Sequence, residues 1–190
     1  MTAVVIPFRS GGKTRLPTGI RIELSLAMLC DVISAAAPVG RVRVVTDDRL
    51  AAQLAVDLGG EAVADPGGGQ GAAVVAGLVG LHGPCLVVNA DLPCVSSAAL
   101  SQLTAFAPAL VAAVDGTTNA LSLVEPVQFM PLYGPGSAAR FGEAGFVPVS
   151  IPELEQDVDT LADVEHLTLA VGARTTLVLH RQKLRLVSAS

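Results

Sequence analysis

The sequence predicts an α/β protein: a single domain over residues 1–190, Rossmann-like, with three layers around a mostly parallel but mixed sheet. Three observations lead there. Apolar, β-branched runs alternate with helical patterns, which implies parallel strands covered on both faces. One connection breaks that alternation. The "GTT" at 116–118 is too short for a crossover, so the two apolar runs beside it form a hairpin or sharp turn. Finally, 190 residues that are 51% hydrophobic, 15% charged and 3% aromatic suit one compact core of Ala, Val, Leu and Gly.

The elements follow in order. "AVVIPF" (3–8) is a strand that empties into a loop with Arg9, Gly11, Gly12, Lys13 and Arg15, ahead of a helix at 23–37. "RVRVVTD" (41–47) is the second strand, followed by a helix at 48–58. "EAVAD" (61–65) is the third. Behind it "DPGGGQGAAVVAGL" (65–78) is a glycine-rich turn running into an alanine-rich helix at 70–82. "PCLVVNA" (84–90) is an apolar strand ending in Asn89-Ala90-Asp91, where Leu92-Pro93 turns the chain towards a helix at 96–107. The hairpin joins 109–115 to 119–125, and "YGPGSAARF" (133–141) opens a helix at 137–144 ahead of a strand at 145–150. "QDVDTLADVEHL" (156–167) precedes a helix at 160–171 that Thr160 or Asp159 can cap, with Asp163 in its first turn. The tail "LVLHRQKLRLVSAS" (177–190) reads as a last strand or the cover of a sheet edge.

Bulk properties narrow the function. A net charge of −5 argues against a general nucleic-acid binder. No Lys or Arg lies between Arg49 and Arg140, so cationic help for an anionic ligand must come mainly from the N-terminal loop. The uncharged stretch 66–90 is interrupted by seven glycines and two prolines and is no membrane span. Cys30, Cys85 and Cys94 lack metal or redox spacing and suit a reducing compartment. "MTAVVIPF" has no charged n-region, so a cytoplasmic location is expected. The composition permits a monomer or a homodimer.

Ligands of open α/β sheets bind beyond the carboxyl ends of the strands, so the residues there are the candidates. "GGKT" is not a P-loop, because Pro7 stands where that motif needs glycine. Its glycines and cations suit phosphate nonetheless, against the plainer reading of a solvated basic loop. Gly67, Gly69 and Ala72 satisfy G-x-G-x-x-A, but after the third strand rather than the first, which makes nicotinamide binding the minor reading. Gly69 and Gln70 instead suit an anion or a base edge at a helix start. Asp91 leaves a buried strand with no cation near it in sequence. A divalent ion would compensate it, the rival readings being a helix cap or a distant arginine. Asp157 and Asp159, spaced i, i+2, point the same way if extended and could join it, capping being their alternative. Thr118, Gly134 and Ser137 put hydroxyls beside glycines and suit a second phosphate, unless Ser137 merely caps its helix and leaves Arg140 exposed. No Ser/His/Asp or Cys/His arrangement stands out.

Taken in order, "PFRSGGKTRL", "VVTDD", "NADLP", "DGTTNAL", "YGPGSAARF", "DVDTLADVEHL" and "VGARTTLVL" resemble the 2-phospho-L-lactate and phosphoenolpyruvate guanylyltransferase family. That family sits within the nucleotidyltransferases similar to the molybdenum-cofactor guanylyltransferase. The resemblance implies a nucleotidyltransferase fold and transfer of GMP from GTP onto a small phosphorylated three-carbon acid, in synthesis of the deazaflavin coenzyme F-420. It implies that Lys13 and Arg15 hold the triphosphate, that Asp91, Asp157 and Asp159 bind Mg²⁺, and that Thr118, Gly134 and Ser137 hold the acceptor. The loop at 67–71 would approach the guanine. Arg9 stands where the family has Lys, and Gln70-Gly71 where it has Leu-Asn. Other readings remain open: a nucleotidyltransferase acting on a sugar phosphate or molybdopterin-like acceptor, a nicotinamide oxidoreductase, or a nucleotide-binding protein without turnover.

Overall fold

The structure, a computed structural model, describes residues 2–9 and 18–188. Gly11, Gly12, Lys13 and Arg15 lie outside the described residues. Seven strands form one sheet in the order β3-β2-β1-β4-β6-β5-β7. They are β1 (Ala3–Pro7), β2 (Arg41–Thr46), β3 (Glu61–Ala64), β4 (Cys85–Val88), β5 (Ala109–Ala112), β6 (Thr118–Leu123) and β7 (Val147–Pro148). β6 alone runs against its neighbours, pairing antiparallel with both β4 and β5. The sheet is therefore mixed for the reason the short connection implied: a five-residue link, 113–117, cannot return the chain to the same end of the sheet.

Alternation along each strand sorts the core into two faces. Val4, Ile6, Val42, Val44, Leu86 and Val88 point to one side. There α1 (Thr18–Ala36), α2 (Arg49–Asp57), α4 (Ser97–Thr104) and the short α6 (Pro152–Glu155) cover them. Ala3, Val5, Val45, Cys85 and Val87 point the other way, under α3 (Gln70–Leu78) and α5 (Ser137–Glu143). This is the expected three-layer sandwich. The three cysteines are buried and free. Among the described residues, no helix is long and apolar enough to cross a membrane.

Two elements depart from expectation. The helix at 160–171 stops early, as α7 (Leu161–His166), and the chain then continues without regular structure to Gly172. The tail is neither strand nor edge cover but a helix, α8 (Ala173–Ser188), packed along α1. The reason is a cap supplied from elsewhere. Asp31 of α1 accepts hydrogen bonds from the backbone N–H groups of Arg174 (3.1 Å) and Thr175 (2.9 Å), the orphan donors at the start of α8. Thr175 and Val178 then bury against α1 on one helical face.

Candidate active site

The sheet order sets β1 beside β4, and the connection out of β1 runs to one side of the sheet, to β2, while that out of β4 runs to the other, to β5. A crevice opens there, beyond the carboxyl ends of β1 and β4. A cavity of about 230 Å³ fills it, lined by Phe8 and Arg9 after β1, Asp65 after β3, Gln70, Asn89, Asp91 and Asp159 among others. A second cavity of about 440 Å³ lies beside it, lined by Asp115, Gln156, Asp157, Asp159, Thr160, Asp163 and His166 among others. Asp159 borders both.

At that border the fold gathers three carboxylates. One oxygen each from Asp91, Asp157 and Asp159 can lie within 4.8 Å of the others, and all three residues are half-buried. The local reason is the Asp-Val-Asp pattern. Val158 is buried in a cluster with Leu24 and Met28. In extended backbone its two neighbours therefore face away from that cluster, on a common side. The Val158 N–H donates to the carbonyl of Asp91 at 3.1 Å and ties the two loops together. Asp163 braces the rest: its carboxylate accepts from the N–H groups of Asp159 (2.9 Å) and Thr160 (2.6 Å). The capping alternatives fall away, since Thr160 caps α7 and Ser96 caps α4.

Crowded like charges show in the titration. Burial, then the Asp91 carboxylate, pushes Asp157 up to about 6. A raised carboxylate pKa means the fold favours the protonated form. Stability from this group is full below the unfolded value near 3.8 and is lost as pH climbs through 6. Asp157→Asn keeps an oxygen to accept from Asn119 and removes the charge. In metal-free protein at pH 7.5 we expect it to stabilise by about 1 kcal/mol, allowing for partial exposure. That is roughly a 2–4 °C rise in melting temperature. At pH 4 the gap should close, and added Mg²⁺ should raise the melting temperature of the parent but not of the variant. Melting curves at the two pH values check both points; a variant less stable at both would refute the crowding.

The nucleotide-facing candidates take unequal parts. Gly67, Gly68 and Gly69 all have positive φ (79°, 86°, 98°), a turn that side chains resist, and it delivers the start of α3 into the crevice. Gln70 donates to Asn89 Oδ1 at 2.7 Å. Arg9 does not stand free. Its Nε and Nη2 fork onto the two oxygens of Asp65 at 2.7 and 3.2 Å. Thr118 and Ser137 are brought together, but with each other: their hydroxyls lie 3.0 Å apart, both residues are buried, and neither lines the two cavities. Ser137 is not a cap, since no side chain caps α5. Gly134 is exposed on the loop ahead of it, with φ 115°. Arg140 is half-buried, not displayed to solvent. Its guanidinium donates to the carbonyls of Leu132, Tyr133, Gly134 and Pro135 and shapes that loop.

Some contributors escaped sequence reading. Asn119 donates to the Leu154 carbonyl at 3.0 Å from a buried position, and Asp65 sets the loop that carries Gly67. A buried Asn inside a strand and an Asp just after one were the available signals; their partners lie 35 and 56 residues away.

A doubly covered mixed sheet with acidic residues gathered at its switch point defines a nucleotidyltransferase. Residues 19–145 match the MobA-like NTP transferase domain. The chain belongs to that family, among relatives named phosphoenolpyruvate guanylyltransferase. It is 37% identical to the one from Streptomyces scabiei (strain 87.22), over 85% of each chain. It is 38% identical to the one from Nocardia farcinica (strain IFM 10152), over 88% of this chain and 84% of that one. Solved structures agree on the fold. A protein from Desulfovibrio desulfuricans G20, provisionally described as a nucleotide-diphospho-sugar transferase, superposes with a TM-score of 0.70 at 15% identity, covering 96% of each chain. A cytidylyltransferase from Leptospira borgpetersenii superposes at 0.58 and 12%, covering 98% of this chain and 95% of that one.

Proposed function

We propose that the protein transfers GMP from GTP to a phosphorylated three-carbon acid, phosphoenolpyruvate or 2-phospho-L-lactate, releasing pyrophosphate in synthesis of coenzyme F-420. The observation that carries this is the carboxylate triad at the border of two cavities, with a glycine-rich helix start in the first. The names of the relatives supply the guanylyl group and phosphoenolpyruvate; 2-phospho-L-lactate and coenzyme F-420 come from the sequence resemblance.

The chemistry asks little of side chains. A phosphate monoester has its second pKa near 6, so the acceptor oxygen is already a nucleophile at neutral pH and no general base is required. The acceptor oxygen forms the new bond to the α-phosphorus, and the bond from that phosphorus to the β-phosphate bridge breaks with its electron pair leaving on pyrophosphate. The obstacle is charge. Two unit charges about 4 Å apart repel by roughly 4 kcal/mol at an effective dielectric of 20. The triad fits a divalent cation: hard oxygen donors, close together, with the pKa of one, Asp157, raised by burial and then by Asp91. Mg²⁺ held by Asp91, Asp157 and Asp159 would neutralise phosphate charge there. In this reading Lys13 and Arg15 hold the triphosphate, and the Gly69–Gln70 turn approaches the base. The acceptor meets Gly134, with Thr118 and Ser137 exchanging their mutual bond for bonds to its anionic end.

Pyrophosphate release tests it. Each of GTP, ATP, CTP and UTP is paired with phosphoenolpyruvate, 2-phospholactate, 3-phosphoglycerate, glucose 1-phosphate and a molybdopterin-type acceptor. The expected result is release with GTP, Mg²⁺ and one of the first two acids. Release only with a sugar phosphate or molybdopterin, or only with another base, overturns it.

A further inference from the structure

The sheet order separates the exits of β1 and β3 by the whole of β2, yet Arg9 and Asp65 close that gap with a two-point ion pair. Asp65 is half-buried as a residue and its side chain is covered, 1% exposed, whereas that of Arg9 is 44% exposed. The same carboxylate accepts the N–H of Gly67 at 2.8 Å, and its own N–H donates to the Thr46 carbonyl at 3.3 Å. From Gly67 the line continues without a gap. Three successive positive-φ glycines lead to Gln70, Gln70 donates to Asn89, and Asn89 lies two residues before Asp91. Arg9, Asp65, Gln70, Asn89 and Asp91 all line the first cavity.

The charge balance decides what Arg9 can do there. Its Nε–Nη2 edge is taken by Asp65, which leaves only the Nη1 side for a further acceptor. An anion drawn to this guanidinium also meets a buried carboxylate within one hydrogen bond of it, and the pair presents little net charge. The Arg9 hydrogen bond, in turn, holds the Asp65 carboxyl below the usual carboxylate range.

We infer that Arg9 is a positioning residue: through Asp65 it fixes the Gly67–Gln70 turn that receives the nucleoside half of the nucleotide, rather than binding the triphosphate. The inference rests on the nucleotidyltransferase reading of the first cavity and gives Arg9 a different part from the phosphate binding that the N-terminal loop's composition suggested.

The test measures binding of GTP and GMP to the parent protein, Arg9→Met, Asp65→Asn, the double variant and Lys13→Ala. It adds amide hydrogen exchange of residues 66–72 without ligand. Asn at 65 still accepts from Gly67, and the double variant leaves no buried charge unpaired, so at least one of the set folds. If Arg9 positions the turn, Arg9→Met weakens GTP and GMP by the same factor, about ten-fold. The double variant is then no worse than the weaker single one, and exchange at 66–72 rises. Lys13→Ala, by contrast, weakens GTP alone. Loss of GTP affinity with GMP affinity intact in Arg9→Met, additive losses in the double variant, or unchanged exchange would each overturn the inference. Failure of the parent to bind any nucleotide would instead sink the underlying reading, and a parent that prefers another base runs the same comparison with that base's mono- and triphosphate.

Discussion

Asp91→Asn is expected to lower Mg²⁺-dependent pyrophosphate release by on the order of 10³-fold with the fold intact. Three features set that size. Asp91 lies in the turn three residues beyond β4, the strand at the centre of the sheet, beside the buried Leu92 that anchors the turn. It is one of three carboxylates within 4.8 Å, and an amide in its place removes a third of the negative charge that a cation would meet. Its backbone, which accepts from Val158, is untouched, so the loop carrying Asp157 and Asp159 stays docked. Melting temperature should change by no more than a few degrees, and Mg²⁺ should lose its stabilising effect. Lys13→Ala in the same assay should raise the KM for GTP with a smaller loss in kcat. An Asp91→Asn enzyme with parental activity would remove the triad from catalysis.

Gly77→Ala should destabilise the protein by about 1–2 kcal/mol, although alanine is the better helix former. Gly77 is buried in α3, and a Cβ there would overlap side-chain methyls of both Val5 and Val45, closer than real contacts allow. Those valines are themselves fully buried in adjacent strands and stiff at χ1, so they cannot turn aside. Overpacking costs about 1–3 kcal/mol, and two pinned valines place this site in the upper part of that range; helix propensity returns up to about 1, which leaves a net loss of about 1–2. Melting temperature falls by roughly 2–8 °C. Because α3 must lift, Gln70 moves from Asn89 and GTP affinity falls as well. Gly142→Ala is the control. It also lies in a helix, but a Cβ there meets nothing within 4 Å, so neutrality or a gain of about 0.5 kcal/mol is expected. Thermal melts of the two variants decide the matter; a stabilised Gly77→Ala would mean that α3 sits higher on the sheet than described.

Legibility followed the range of the interaction. The strands and most helices read correctly because each follows from its own residues: a β-branched apolar run, a cap, a glycine turn. The hairpin of β5 and β6 was legible from the length of its link alone. The tail was not. "LVL" looks like a strand in isolation, and what makes it helical is a carboxylate on α1 more than 140 residues away that caps its start. Arg140 was weighed as an exposed helix residue, although four carbonyls hold its guanidinium. For Arg9 the charge was legible and the partner was not: Asp65 lies 56 residues on, across a strand.

By itself the sequence determined the class of fold, the placing of chemistry at the strand exits and the choice of three aspartates, since side-chain type and period are properties of the chain. Only the tertiary structure decided which of those groups meet, which cation is already paired, and that the acidic border lies between two cavities. Charge and hydrogen bonding act across space over a few ångströms, and the neighbours they act on come from segments the chain does not place side by side.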